Sequence, residues 1–293
     1  SSANVISDKT GHDSTTLTAT MTTSCNIYEY KVVAYATSAD AIAGTSADVT
    51  NVGLSGTTEI ASGGTWTPAL LENQLKLAIT GEGQKFVVVY AKNLCDKWGK
   101  SNTLIITVDE TAPTGTIAVN QYYNANAGFT ASANDSVCSV SKMQAWVDTS
   151  AGSETPPVSS TEYDYSANPT SAQVDWTGKT NGTCYVHIKY TDEVGNSAVI
   201  HSSSFVYDDV APIECSVSGP ALTNTTTVTL ALSASDVTSG MGRMKIYGDV
   251  SGSATAEQAT WENYSSSANI TLTNGDGDKT INVLFQDNAG NSI

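Results

Sequence analysis

The sequence predicts an all-β chain of three tandem Greek-key sandwich modules, and three observations carry that prediction. One turn phrase recurs three times, at a spacing close to the size of a small sandwich domain. Between its copies, apolar and polar residues alternate with the period of two expected of half-buried strands. Turn-forming residues punctuate these stretches, and no long segment has a helical period; residues 68–77 are the nearest candidate for a short helix or turn. A length of 293 residues accommodates two or three domains.

The turn phrase is D-x-x-G-[NK]-S. It occurs as Asp96-Lys-Trp-Gly99-Lys-Ser101, Asp192-Glu-Val-Gly195-Asn-Ser197 and Asp287-Asn-Ala-Gly290-Asn-Ser292. Each copy follows an apolar strand, at residues 86–90, 185–190 and 281–285. Asp opens a turn by accepting hydrogen bonds from nearby backbone, and Gly supplies a positive φ without a Cβ clash. After the first two copies a further strand leads into Asp109-Glu-Thr-Ala-Pro113 and Asp208-Asp-Val-Ala-Pro212. Proline cannot donate to a sheet ladder and extends its predecessor, so Ala-Pro after paired acids marks a short, stiff linker. These linkers divide the chain into residues 1–110, 111–210 and 211–293. Inside the second and third modules, residues 129–133 and 228–234 alternate and end at Asp135 and Asp236, and Met143-Gln-Ala-Trp146 matches Met244-Lys-Ile-Tyr247 as the next strand.

Charge excludes some partners. Thirteen Lys and Arg stand against 29 Asp and Glu, a net −16 with a pI near 4.3, and the deficit is spread over all three modules. Phosphate-backbone binding has no electrostatic source here, so nucleic acid is not expected as a partner. No apolar run approaches the roughly 20 residues that span a bilayer, so no membrane insertion is expected in this segment. The start at Ser1 is consistent with a mature or excised segment.

The third module's Ser235-Asp-Val-Thr-Ser-Gly240-Met, Trp261-Glu-Asn-Tyr264, Leu272-Thr-Asn-Gly-Asp-Gly-Asp-Lys279 and Asp287-Asn-Ala-Gly-Asn-Ser292 resemble the immunoglobulin-like repeats of large bacterial and archaeal extracellular proteins. The linker at 109–113 is similar to the joints between such repeats. The first module diverges, with Lys100 where the others have Asn196 and Asn291. The resemblance implies an elongated array outside the cell, on a cell or virion surface, with a structural or adhesive role as stalk, spacer or wall. Its partners would be neighbouring repeats or copies of itself, with a host-surface protein or glycan as a further candidate. The other readings are a glycan-binding module of an adhesin or phage tail fibre, or a surface-layer or filament subunit that exchanges strands. The third module is expected to lack its last strand, which either lies further along a longer array or comes from another chain.

Five cysteines fit an oxidising exterior. In a sandwich of this topology Cys25 and Cys95 occupy loops at the same end, so a bond between them is geometrically sensible and would stabilise by ~4 kcal/mol. A Cys184–Cys215 staple across the second joint would leave Cys138 over.

No cofactor is required by any motif. Asp109 and Glu110 at one joint, and Asp208 and Asp209 at the other, are the candidate ligands for Ca²⁺, a hard cation that takes six to eight oxygens; calcium-stiffened joints occur in comparable arrays. Residues 274–278 resemble an ion loop but lack the closing Glu, which leaves a turn. His187 and His201 are placed opposite one another on adjacent strands, though two His without a third ligand do not make a zinc site, and two polar surface residues are expected. Of five Trp, Trp146 lies on a core strand, the resemblance implies that Trp176 and Trp261 are buried aromatics too, and Trp98, placed at a hairpin tip, is the ligand-contact candidate. No nucleophile, zinc-protease, P-loop or dinucleotide motif is present, so the chain is expected not to be an enzyme.

Overall fold

The computed structural model describes residues 2–7, 15–22, 27–44, 57–65, 74–77, 82–93, 95 and 97–293. The chain divides into two compact units. One is Ser1–Thr114 with Asn134–Lys142 and Thr191–Ala198; the other is Gly115–Ala133, Met143–Tyr190 and Val199–Ile293. The described residues are mostly β, with almost no helix, in several small sheets of the kind that pair into sandwiches.

In the first unit, Ser2–Ser7, Thr15–Thr22 and Gln74–Leu77 form an antiparallel sheet, and Thr57–Thr65, Ile27–Tyr35, Gly83–Asn93 and Trp98–Lys100 form another. Leu104–Val108 also pairs with Gly83–Asn93. Register sets Val33 against Val88 and Tyr35 against Phe86. Val33, Tyr35, Ala41, Val88 and Tyr90 make a buried cluster on which Phe86 and Trp98 pack. Trp98 is therefore a half-buried strand residue, not an indole presented at a hairpin tip. Apolar ring area is drawn to the core wherever the ladder allows it.

The one described α-helix is Ser38–Ala43, where no helix was expected. Thr37 caps it, accepting from the Asp40 backbone at 3.1 Å. Six residues are too few to show a helical period in sequence. Gln74–Leu77, at the end of the stretch expected to be helical or turn, is instead a strand; most of that stretch lies outside the described residues. Lys100, the departure from Asn in the first turn phrase, donates to the Ala41, Ile42 and Gly44 carbonyls at the helix C-terminus. A cation there satisfies carbonyls that the helix leaves unpaired.

In residues 114–207, Thr114–Ala118 pairs with Thr130–Asn134. A larger sheet runs in the order Tyr122–Tyr123, Phe205–Tyr207, Gly182–Asp192, Val140–Asp148, Glu162–Asp164, with Ser197–His201 also on Gly182–Asp192. Trp146 and Trp176 are buried, as expected of core residues, whereas Trp261 is only half-buried, with Arg243 and Lys245 over its ring. In residues 213–293, Ile213–Ser218, Thr227–Ser235 and Ser267–Thr271 form one sheet, and Glu262–Asn263, Met241–Gly248 and Ile281–Asp287 the other. The alternation of Thr227–Ser235 sends Val228, Leu230 and Leu232 into a core with Met244, Ile270 and Phe285. Phe285 and Ile293 exchange both backbone hydrogen bonds, at 2.9 and 3.0 Å, so pairing beyond the third turn has begun by Ile293.

A tyrosine repeats between these two segments. The Ala133 backbone N–H donates to the Tyr165 hydroxyl at 3.0 Å, and that hydroxyl donates to the Ala133 carbonyl at 3.2 Å. Tyr264 does the same with Ala234, at 3.1 and 3.2 Å. Removing the hydroxyl leaves two backbone groups to find other partners. Tyr264→Phe is therefore expected to lower the unfolding free energy by about 1–3 kcal/mol, measured as a reduced midpoint in urea with an unchanged slope.

Candidate metal centres: two aspartate sets

Asp109 follows Leu104–Val108, Asp135 follows Thr130–Asn134, and Asp192 ends Gly182–Asp192. Their carboxylates converge, with one oxygen from each within 4.8 Å of the others. Asp208, Asp236 and Asp287 form a second set with the same limits. Asp109 and Asp208 are 0% exposed, and Asp192 and Asp287 are 2% exposed. At an effective dielectric of ~20, two unit charges at that separation repel by about 3–4 kcal/mol.

Each set is built by its turns. In the first, Asp192 Oδ1 accepts the backbone N–H groups of Val194, Gly195 and Asn196 at 2.7–3.0 Å. Gly195 takes φ 104°, which the turn requires. Asn196 Nδ2 donates to Asp192 Oδ2 at 2.9 Å and to the Asp109 carbonyl at 3.0 Å, tying the linker to the turn. Asp135 Oδ1 accepts from the Val137 and Cys138 backbone. Asp109 Oδ1 accepts from the Thr111 backbone and hydroxyl. The second set repeats the plan: Asp287 Oδ1 accepts from Gly290 and Asn291, and Asn291 Nδ2 reaches the Asp208 carbonyl at 2.9 Å. Asp236 Oδ1 accepts from Thr238, Ser239 and Gly240.

The two sets differ at the linker aspartate. Asp208 is satisfied on both oxygens, by Val210 N–H at 3.1 Å and Ser239 N–H at 3.2 Å. In the first set Cys138 stands where the second has Ser239. There, Asp109 Oδ2 is buried with no hydrogen-bond partner. A buried, ionised oxygen without a donor calls for a cation or a proton. Burial pushes the Asp109 carboxyl up, but contacts from Cys138, Thr111 and Glu82 outweigh it and hold the group below its ordinary range, so it stays charged. Desolvation of the half-buried Cys138 thiol, with the charges of Asp109, Asp192 and Asp135 beside it, pushes it up to about 12. Only oxygens are left as charged ligands. Three converging carboxylates fit a hard divalent cation such as Ca²⁺. Asp109, Asp135 and Asp192 would hold it in the first set, and Asp208, Asp236 and Asp287 in the second; the cation would neutralise the clustered charge.

Burial raises the Asp287 carboxyl above its ordinary range, with the Asp208 charge adding to the shift and hydrogen bonds from Asn291 and Gly290 opposing it. A raised carboxyl binds its proton more tightly folded than unfolded. Its contribution to stability is present below the unfolded value and is lost as pH rises through the folded one. Without a divalent cation, amide exchange in Ile281–Asp287, corrected for its intrinsic pH dependence, is expected to slow as pH falls from neutral towards 4. Asp287→Asn is expected to flatten that response.

The linker acids expected beside Asp109 and Asp208 are not part of either set. Glu110 is exposed, with its backbone N–H on Glu82 Oε2. Asp209 is exposed and exchanges hydrogen bonds with the Asn181 amide. Successive residues of an extended linker point to opposite sides, so only one of each pair can face inward. The missing partners, Asp135, Asp192, Asp236 and Asp287, are all turn-opening residues of the repeat.

The cysteine expectations divide. Cys25 lies outside the described residues, so a bond to the exposed Cys95 does too. Cys184 and Cys215 are separate thiols. Cys184 is buried with its Sγ on the Thr180 carbonyl, whereas exposed Cys215 sits against the Pro212 and Ile213 carbonyls. A strand position buried in its own sandwich cannot reach a thiol facing solvent without backbone movement. His187 and His201 do stand opposite one another, but His187 is 0% exposed, so it is not a surface residue.

No family description matches the sequence, and no curated protein matches it. Among solved structures the chain is similar to tandem immunoglobulin-like or fibronectin-III repeats of large bacterial adhesins. A tetra-tandem repeat from the extending region of a large adhesion protein aligns at 17% identity and TM-score 0.31, over 100% of this chain and 72% of that one. A 1.5-MDa bacterial ice-binding adhesin aligns at 14% identity and TM-score 0.36, over 100% and 95%. A Ca²⁺-stabilised adhesin with which an Antarctic bacterium binds ice aligns at 13% and 0.35, over 99% and 71%.

Proposed function

We propose that the chain is a non-catalytic structural segment of an extracellular, surface-attached assembly, made of three tandem immunoglobulin-like modules whose linkers are fixed by Ca²⁺. The observation that supports the cation is Asp109 Oδ2, buried without a partner among three converging carboxylates. Each set joins a linker aspartate to two turns of the module that follows it. A cation there converts a charge repulsion into a clamp on the linker. For a stalk or spacer, that replaces a flexible hinge with a fixed one at each repeat. The repeated turn and tyrosine geometry across residues 114–293 supports one architecture copied along the chain.

Isothermal titration of the chelator-treated chain with Ca²⁺ tests this. Binding at two sites is expected, the first set being the tighter because its unsatisfied oxygen gains most. Asp109→Asn should remove the tighter site and leave the weaker one. No heat and no binding at millimolar Ca²⁺ would sink the proposal.

A further inference from the structure

Strand Gly182–Asp192 buries His187 completely, and its neighbour Ser197–His201 sets His201 against it. The two Nδ1 atoms are 2.7 Å apart, with the rings edge to face. His187 Nε2 meets Asp148 Oδ1 at 3.0 Å, at the end of Val140–Asp148. His201 Nε2 meets Glu154 Oε1 at 3.2 Å, in the loop that follows that strand. Trp146 covers His187, its ring centroid 5.3 Å away. The result is a continuous row: carboxylate, imidazole, imidazole, carboxylate.

Counting protons shows what this row needs. Each outer contact places a ring nitrogen on a carboxylate oxygen, so each needs one proton. The central contact places two ring nitrogens at hydrogen-bond distance, so it needs one proton and no more. Three contacts therefore need three protons. Two neutral imidazoles beside two carboxylates supply only two, which leaves either two lone pairs facing at the centre or a lone pair facing a carboxylate. Two imidazolium rings supply four, which sets N–H against N–H at the centre. Only the state between them satisfies every contact.

We infer that Asp148, His187, His201 and Glu154 form a one-proton clip, closed while the histidine pair carries a single extra proton and open when that proton is lost or a second is gained. Its closed state ties the loop of residues 149–161, through Glu154, to a fully buried ring of the sheet. Burial, opposed by the Asp148 contact, holds His187 below its ordinary range, and half-buried His201 lies against Glu154. Hydrogen bonds from Ser150, Ser153 and His187 outweigh burial at Asp148, which lies below the usual carboxylate range and stays ionised. Among the described residues, Asp148 and Glu154 are the titratable groups in contact with the pair; Cys184, on the strand of His187, also feels the Asp148 charge. Two rings at hydrogen-bond distance bind protons as a coupled pair, not independently.

Ring-nitrogen NMR of the 293-residue chain as a function of pH, with amide exchange over residues 149–161, tests the clip. Two coupled ionisations are expected, separated by an interval with one proton shared between the Nδ1 atoms. Loop exchange, corrected for intrinsic rate, should be slowest in that interval and rise on the order of fivefold on either side, the weight of one net hydrogen bond. His201→Ala, at a half-exposed site that tolerates truncation, should leave His187 titrating alone and the loop exchange flat with pH. Independent single-site ionisations, or loop exchange that ignores pH in the unaltered chain, would overturn the inference. So would ring signals that Zn²⁺ shifts stoichiometrically and a chelator restores, because the pair would then be a metal site.

Discussion

Saturating Ca²⁺ is expected to raise the melting temperature of the chelator-stripped chain by on the order of 10 °C. A ligand held only by the folded state at a hundred times its dissociation constant stabilises that state by about 2.7 kcal/mol. For a segment of about 100 residues each kcal/mol moves the midpoint by several degrees. The effect should be specific in two ways. Mg²⁺, which demands near-ideal octahedral geometry and keeps its waters, should give a smaller shift than Ca²⁺. Asp192→Asn and Asp287→Asn should each remove the shift of one set, whereas Glu110→Gln and Asp209→Asn should leave it intact, because those linker acids face away from the carboxylate clusters. Superimposable melts with chelator and with Ca²⁺ would refute the cation. Equal losses from all four variants would refute the assignment of ligands while leaving a general charge effect.

The second large effect lies in the core of residues 213–293. Phe285 is 3% exposed and packs with Val228, Leu230, Leu232 and Met244, its ring 6.1 Å from that of Tyr264 and edge-on to it. Phe285→Ala removes the aromatic at the centre of the cluster and leaves a cavity that strands on both sides can only partly close. The expected cost is about 3–5 kcal/mol. That is a large share of the stability of a small sandwich, so this segment should unfold first and separately in calorimetry. A loss below about 1 kcal/mol would mean that the cluster repacks around the gap.

Much of this architecture is legible in residue order because its causes are local. The alternation of residues 228–234 is strong enough to assign the buried face of Thr227–Ser235 correctly, since a strand flips sides with every residue. The turn phrase is legible for the same reason: Asp192 and Gly195 need only each other's backbone. What is not legible depends on long-range geometry. Asp135, Asp192, Asp236 and Asp287 are recognisable as turn openers, yet nothing in their spacing says that two turns and a linker bring three carboxylates together. The pairing of Asp109 with Glu110 is visible in sequence and misleading, because adjacent residues of an extended chain diverge. Lys100 looks like a degraded copy of Asn196 and Asn291, but it serves a helix fifty-odd residues earlier that is too short to announce itself. The buried His187 is masked by the polar label of histidine; only the facing carboxylates and His201 make its burial tolerable.

The asparagine of the turn phrase has one further consequence. Asn196 closes on the carbonyl of Asp109, and Asn291 on that of Asp208. The residues before each Ala-Pro thus belong, chemically, to the repeat that comes after them. A fragment begun at the proline would lose the aspartate its own turns are shaped to hold, while one begun a few residues earlier keeps the set whole. A cut at either proline would remove one aspartate of three from the set that follows, and a cut just upstream of the acidic pair would keep all three together.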